Sequence, residues 1–173
     1  MIWFVSDYHF NHFNIIRYCG RPFTTSKEMD ETIISRHNEV VKPDDEVYFL
    51  GDFQFSNIAS FYLPRMNGKF TFVKGNHDRL KPFRGPRYLF ENIDDYKILM
   101  LHWVNYVQEF NSLSEKADII ICGHHHEKGK LLIWEDKILL NVSVDMWNYY
   151  PVNLETVVKT IEEKNPDDIK IIK

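Results

Sequence analysis

A chain of 173 residues, 44% hydrophobic and 27% charged, has the balance of one globular domain and the length to bury a core. Its net charge of −4 argues against a broad surface for nucleic acid or anionic lipid, and no apolar run approaches the ~18 residues of a membrane span. Two cysteines without C-x-x-C spacing, and an opening MIWFVSD without the basic segment of a secretory signal, make the cytoplasm the expected location.

In chain order, short β-forming apolar runs alternate with helical stretches. Strands are predicted at IWFV (2–5), VYFL (47–50), FTFV (70–73), KILML (97–101) and DIIIC (118–122). LLIW (131–134) and ILLNVSV (138–144) follow, with Glu135-Asp136 as the turn of an antiparallel hairpin. A helix over 27–42 carries Met29, Ile33, Val40 and Val41 on one face, with Ser26 as its N-cap. A second helix over 56–66 stops at Asn67-Gly68. A third starts at an Asn153 cap, carries Leu154, Val157, Val158 and Ile161 inward, and stops at Pro166. The alternation predicts a single layered α/β domain over 1–173, its sheet partly parallel and buried on both faces.

The chemistry-bearing residues follow the strands. IWFVS runs into Asp7-Tyr8-His9, VYFL into Gly51-Asp52 and FTFVK into Gly75-Asn76-His77-Asp78. KILML runs into His102, and DIIIC into Gly123-His124-His125-His126. In open α/β sheets, ligands bind beyond the carboxyl ends of the strands. Five strand ends can therefore bring Asp, His and Asn to one locus. In extended chain, residues i and i+2 face the same way. That pairs Asp7 with His9 and His124 with His126, and turns His125 away. Imidazole, carboxylate and amide donors without thiolate suit a catalytic Mn, Fe, Zn or Ni centre better than a closed structural zinc site.

D-x-H, G-D, G-N-H-D, a lone H and G-H-x-H, in that order between residues 7 and 126, resemble the motifs of the calcineurin-like metallophosphoesterases. DYHFNHFNII with RPF, and NVSVDMWNYYP, further resemble small bacterial and phage members of about this length. The resemblance implies a four-layer α/β/β/α sandwich with mixed sheets and two divalent metal ions at the strand ends. One ion would be held by Asp7, His9, Asp52 and His126, the other by Asp52, Asn76, His102 and His124. His77 would be the catalytic histidine at the scissile phosphate. Many relatives read G-D-x-x-D, whose last Asp helps orient that histidine. Here GDFQF places Phe55 there, which leaves Asp78, another residue or none as the partner that orients His77.

Around this set, His12, Arg17, Arg21 and Arg79 are candidate substrate contacts, with a surface-loop role for His12 and a loop anchor for Arg17 and Arg21 as the equal alternatives, and His125 is a neighbour of the metal ligands. Arg79, Lys81, Arg84 and Arg87 form a basic run placed to steer a phosphate. His37, inside a predicted helix, reads as structural. Trp147, Tyr149 and Tyr150 read as core aromatics before a nucleobase wall. The expected function is dimetal phosphoester hydrolysis. A phosphodiesterase on small or nucleotide-like substrates, using a hydroxide that bridges the two ions, comes first. A phosphomonoesterase, a nuclease and a non-catalytic scaffold on the same fold are the alternatives. Nucleic acid is not a favoured partner and no membrane partner is expected.

Overall fold

A computed structural model describes residues 1–55, 59–78, 83, 85–103 and 106–172. One sheet contains β1 (Ile2–Val5), β2 (Glu46–Phe49), β3 (Lys69–Phe72) and β9 (Val152–Asn153), in the order β3-β2-β1-β9. The other contains β4 (Tyr88–Ile93), β5 (Tyr96–Leu101), β6 (Ile119–Cys122), β7 (Leu131–Trp134), β8 (Lys137–Asn141) and β10 (Ile169–Ile171). Its order is β10-β7-β8-β6-β5-β4. Both sheets are mixed: β1 runs parallel to β2 and antiparallel to β9, while β6 runs parallel to β5 and β8 and β7 antiparallel to β8.

The period-two pattern of the strands builds the layers. Trp3, Val5, Val47 and Phe49 face outward from the first sheet. They pack under Ile15 and Ile16 of α1 (Phe13–Tyr18) and Met29, Ile33 and Ile34 of α2 (Ser26–Val40). Their alternates Phe4 and Tyr48 face the second sheet, meeting Ile98, Met100, Ile119, Ile121, Leu131 and Leu140. The other face of that sheet, with Leu99, Leu101, Ile120, Leu132 and Leu139, is covered by Phe110 and Leu113 of α4 (Val107–Ser114). The result is an α/β/β/α sandwich. α5 (Leu154–Glu163) inserts Val157 beside the middle layer.

Several boundaries differ from the sequence reading. Thr25, not Ser26, caps α2: its side chain accepts the Glu28 N–H at 3.1 Å. The predicted 56–66 helix is a short α3 (Ala59–Tyr62) followed by a 3-10 turn at Leu63–Arg65, with residues 56–58 outside the described part. α5 ends at Glu163 because Lys164 turns left-handed (φ 44°), and Pro166 opens a separate 3-10 turn. The hairpin forms without glycine, since Glu135 itself adopts φ 54°. The last predicted strand stops at Asn141 rather than 144. Beyond it the chain crosses to the first sheet, where Ser6 N–H donates to Val142 O (3.1 Å) and Val144 N–H to Ser6 O (3.3 Å). α1, α4, β4, β9 and β10 had no counterpart in the prediction.

Candidate metal centre

Asp7, His9, Asp52, Asn76, His102, His124 and His126 converge beyond the carboxyl ends of β1, β2, β3, β5 and β6. The means differ from the expected strand alternation. Asp7 (φ 60°), His9 (53°), Asp52 (59°), His124 (73°) and His126 (43°) all take the left-handed backbone. Non-glycine residues enter that region at a cost, and such strain collects at functional sites. Neighbouring loops hold them there: Asp7 N–H donates to Gly51 O and His9 N–H to Asp52 O, each at 3.0 Å. Gly75 lets the third loop approach, because a methyl group there would run into the Asp52 carboxylate and amide.

The Asp7 carboxylate is fully buried. Its Oδ2 accepts from Ser6 Oγ (2.5 Å), Ser143 Oγ (2.6 Å) and His124 N–H (2.9 Å). Its Oδ1 has no hydrogen-bond partner among the described residues, and neither has His9 Nε2. These two atoms lie 3.8 Å apart, and His9 Nε2 is 3.5 Å from Asp52 Oδ2. On the other side, Asp52 Oδ2 is 3.4 Å from His102 Nε2, while Asp52 Oδ1 accepts His77 N–H at 2.9 Å. Asp52 thus faces both halves of the cluster. Asn76 Oδ1 lies 2.8 Å from His102 Nε2 and 3.1 Å from His124 Nδ1. His126 Nε2 is 3.8 Å from Asp7 Oδ1.

Two imidazoles have their tautomer fixed from behind. His102 Nδ1–H donates to Leu50 O at 2.7 Å, and His126 Nδ1–H to Asp145 Oδ2 at 2.9 Å. Both present Nε2 to the cluster. Burial opposes charge on His102, but Asp52 and Asp7 outweigh it and raise its pKa to about 9. Burial likewise opposes charge on His126, and Asp145, Cys19 and Asp7 together raise its pKa to about 10. Burial wins instead at His9 and His124, whose pKa values are lowered, so positive charge is favoured only on His102 and His126. Asp7, His9 and His126 offer ligand atoms within 4.8 Å of one another, as do Asp7, Asp52 and His102. Unpartnered buried oxygen and nitrogen atoms in an O/N donor set fit divalent ions.

The other candidates fall out differently. His77 is exposed, with its ring centroid 5.5 Å from His9, 5.9 Å from Phe55 and 6.4 Å from His12. Asp78 does not orient it. The Asp78 carboxylate instead accepts three buried N–H groups, from Asp52 (2.8 Å), Gly75 (2.9 Å) and Phe53 (3.1 Å), and so ties the loop of Asp52 to that of Asn76. His12 is buried against Phe55, the rings stacked at 4.0 Å, with Nδ1 3.4 Å from His9 Nδ1. Arg21, a substrate contact or a loop anchor by its place in the sequence, is buried. It grips Asp145 at 2.7 and 2.9 Å and donates to Asp7 O (2.7 Å) and Tyr8 O (3.0 Å). Its five fixed donors are better spent on that fork than a flexible ammonium would be. Arg17 is exposed on α1, and Arg87 pairs with Glu109 at 3.0 Å. Arg79, Lys81 and Arg84 lie outside the described residues.

His125 is turned away from the cluster but is not solvated. It is buried edge-on against Trp103 at 4.4 Å, and burial lowers its pKa to about 3. His37 is buried between Tyr8 OH and Asn67 O, each at 2.8 Å, as a structural residue would be. Tyr149 lies in the core, and Trp147 is partly buried with Nε1–H on Asn141 O. The sequence reading missed Asp145, Ser6 and Ser143. Asp145 carried the same signal as the ligands, a polar residue directly behind the apolar run ILLNVSV.

Residues 1–142 match the model of the calcineurin-like phosphoesterase superfamily domain, and the chain belongs to that superfamily. An uncharacterised protein of Methanocaldococcus jannaschii is 38% identical over 171 residues, 94% of this chain and 92% of that one. Among solved structures, a protein of unknown function from Aquifex aeolicus is 25% identical with a TM-score of 0.71, over 95% of this chain and 99% of its own. Chaetomium thermophilum Vps29 shares the fold at 12% identity and a TM-score of 0.51, over 81% of this chain and 69% of its own. Among the described residues, no helix is long and apolar enough to cross a membrane.

Proposed function

We propose that this chain is a dimetal phosphoester hydrolase, acting as a phosphodiesterase on small or nucleotide-like substrates. The carrying observation is the pair of buried atoms without partners, Asp7 Oδ1 and His9 Nε2, beside an Asp52 carboxylate that faces both halves of the cluster. Leaving such atoms unpaired costs on the order of 1–3 kcal/mol each, and a divalent cation removes the cost. Asp7, His9, Asp52 and His126 would hold one ion, and Asp52, Asn76, His102 and His124 the other. Such ions supply water activated near neutral pH and neutralise the charge on a phosphoester. The chain's own residues do the rest. Asp52 holds the His77 backbone at 2.9 Å, so the exposed imidazole stands at the rim of the cluster. There it can hydrogen-bond the phosphate and give a proton to the departing oxygen. Asn76 and His77 are exposed, which favours a small substrate entering an open site.

Elemental analysis of protein reconstituted with Mn²⁺, Zn²⁺, Fe²⁺ or Ni²⁺ is expected to find about two ions per chain. Hydrolysis of bis(4-nitrophenyl) phosphate is expected to require them. Absence of metal binding overturns the proposal. Faster turnover of 4-nitrophenyl phosphate than of the diester would move the assignment to a phosphomonoesterase.

A further inference from the structure

A cavity of about 430 Å³ opens on one side of the ligand cluster, at Asn76, His102 and His124, and continues past them to Lys74, Arg87 and Trp103. Its size falls within the roughly 300–1,000 Å³ of small-molecule sites. The three outer residues have no place in the chemistry described so far. The Trp103 ring lies nearly parallel to that of His124, at 14° with centroids 6.0 Å apart. His125 (4.4 Å, edge-on) and Trp134 (4.5 Å) pin it, yet the indole stays only half-buried and lines the opening. Lys74 is exposed and has no ion-pair partner among the described residues. Arg87 shares its charge with Glu109 but remains more than half exposed (57%).

We infer, on the phosphodiesterase reading of the centre, that this cleft takes the group that stays on phosphorus, and that this group is a nucleoside bearing further negative charge. An indole fixed by Trp134 and His125 that still lines the opening is a rigid aromatic contact for a base. Two cations beyond it match a second phosphate, which the ligand cluster itself does not address. The placement also decides which ester arm lies here. The His77 ring stands with His9, His12 and Phe55. An oxygen protonated by His77 therefore departs on the Phe55 side, and the retained arm points toward Trp103. His125, a bystander in the metal cluster, acquires a role as the buttress of that platform.

Thymidine 5′-(4-nitrophenyl) phosphate and methyl 4-nitrophenyl phosphate share a leaving group and differ in what stays on phosphorus. With Mn²⁺, the thymidine ester is expected to be favoured in kcat/KM by at least ~5-fold, the scale of one base stacked on one aromatic ring. Trp103→Leu is expected to shrink that ratio toward one. Equal loss on both esters, with the ratio intact, would mean a merely structural Trp103 and overturns the assignment. Lys74→Met, on the surface, tests the charged end without disturbing the core. Wild type is expected to bind ADP more tightly than AMP by calorimetry, and Lys74→Met to lose most of that difference. A difference that survives in Lys74→Met and in Arg87→Met overturns the second-phosphate assignment. If neither ester is hydrolysed with any divalent ion, the phosphodiesterase reading fails by itself. Calorimetry with ADP then decides the cleft: binding that Trp103→Leu abolishes supports it, and no binding overturns it.

Discussion

His126 Nδ1 lies 2.9 Å from the Asp145 carboxylate, a contact that aims the opposite ring nitrogen at Asp7. Arg21 clamps the same carboxylate from behind and also holds the carbonyl of Asp7. One buried cation thereby sets the ring of one candidate ligand and the loop of another. Asp145→Asn keeps the shape but weakens the grip on the imidazole. Metal titration by calorimetry is expected to show ~10–100-fold weaker binding at the His126 side. Unchanged affinity would remove Asp145 from the metal centre.

Arg21 separates two readings cleanly. As a substrate contact, its loss would raise KM and leave stability alone. As the buried partner of Asp145, its replacement by Ala is expected to cost about 3–5 kcal/mol, because a buried carboxylate loses its counter-charge. Urea unfolding of the metal-free protein measures this directly.

Asp78 accepts three backbone N–H groups from two loops. Asp78→Ala leaves those buried donors unpaired, at about 1–3 kcal/mol each. Stability and metal occupancy are expected to fall together, since Asp52 rides on the freed loop. An Asp78→Ala protein with wild-type metal content and a wild-type melt would contradict the staple.

Metal should also stabilise the fold. The left-handed candidate ligands and the unpartnered atoms of Asp7 and His9 are strain that a bound cation would offset. With free metal at about 100 times its Kd, linkage gives ~2.7 kcal/mol, or roughly 5–10 °C in Tm for a domain of this size. Melting with chelator and with Mn²⁺ tests the shift, and coincident melts would argue against binding to the folded state.

His37 supplies a pH dependence independent of any metal. Burial lowers its pKa to about 4, against a partial opposing pull from the Asn67 carbonyl. In the unfolded chain the imidazole charges near ~6.5. Between those values the unfolded state binds more protons, so stability is full above ~6.5 and is lost as pH falls toward 4. About 2 kcal/mol should disappear between pH 7.5 and pH 5. His37→Gln is expected to flatten that part of the profile whatever its own stability, and an unchanged slope would assign the effect elsewhere.

The convergence of the candidate ligands was readable because strand ends and polar knots coincide in the sequence. β1 runs into Asp7 and β6 into His124 with nothing between but Ser6 and Gly123. The mechanism of convergence was not readable. Left-handed φ at Asp7, His9 and Asp52 comes from contacts with loops distant in sequence, and local propensity opposes it. The choice between substrate contact and loop anchor for Arg21 was not readable for the same reason: its partner lies 124 residues away. Asp145 was readable in principle, since it follows its apolar run as the ligands follow theirs. The sandwich could be read from the resemblance, but short edge elements such as β9 and β10 owe their form to pairing with β1 and β7.

Ser143 and His124 hold one oxygen of Asp7, leaving the other oxygen turned toward the cluster. Asp7 belongs to the first strand's end, whereas these donors and His126 belong to the last third of the sequence. During synthesis, the amino-terminal half leaves the ribosome with Asp7, His9 and Asp52, and with Ser6, Gly51 and Asp78 that hold them, but without Ser143, His124 and His126. Full coordination, on the dimetal reading, would wait until both sheets have docked. On the dimetal reading, avidity for metal would therefore arise only with the complete fold, and an unfinished or misregistered chain would bind divalent ions weakly.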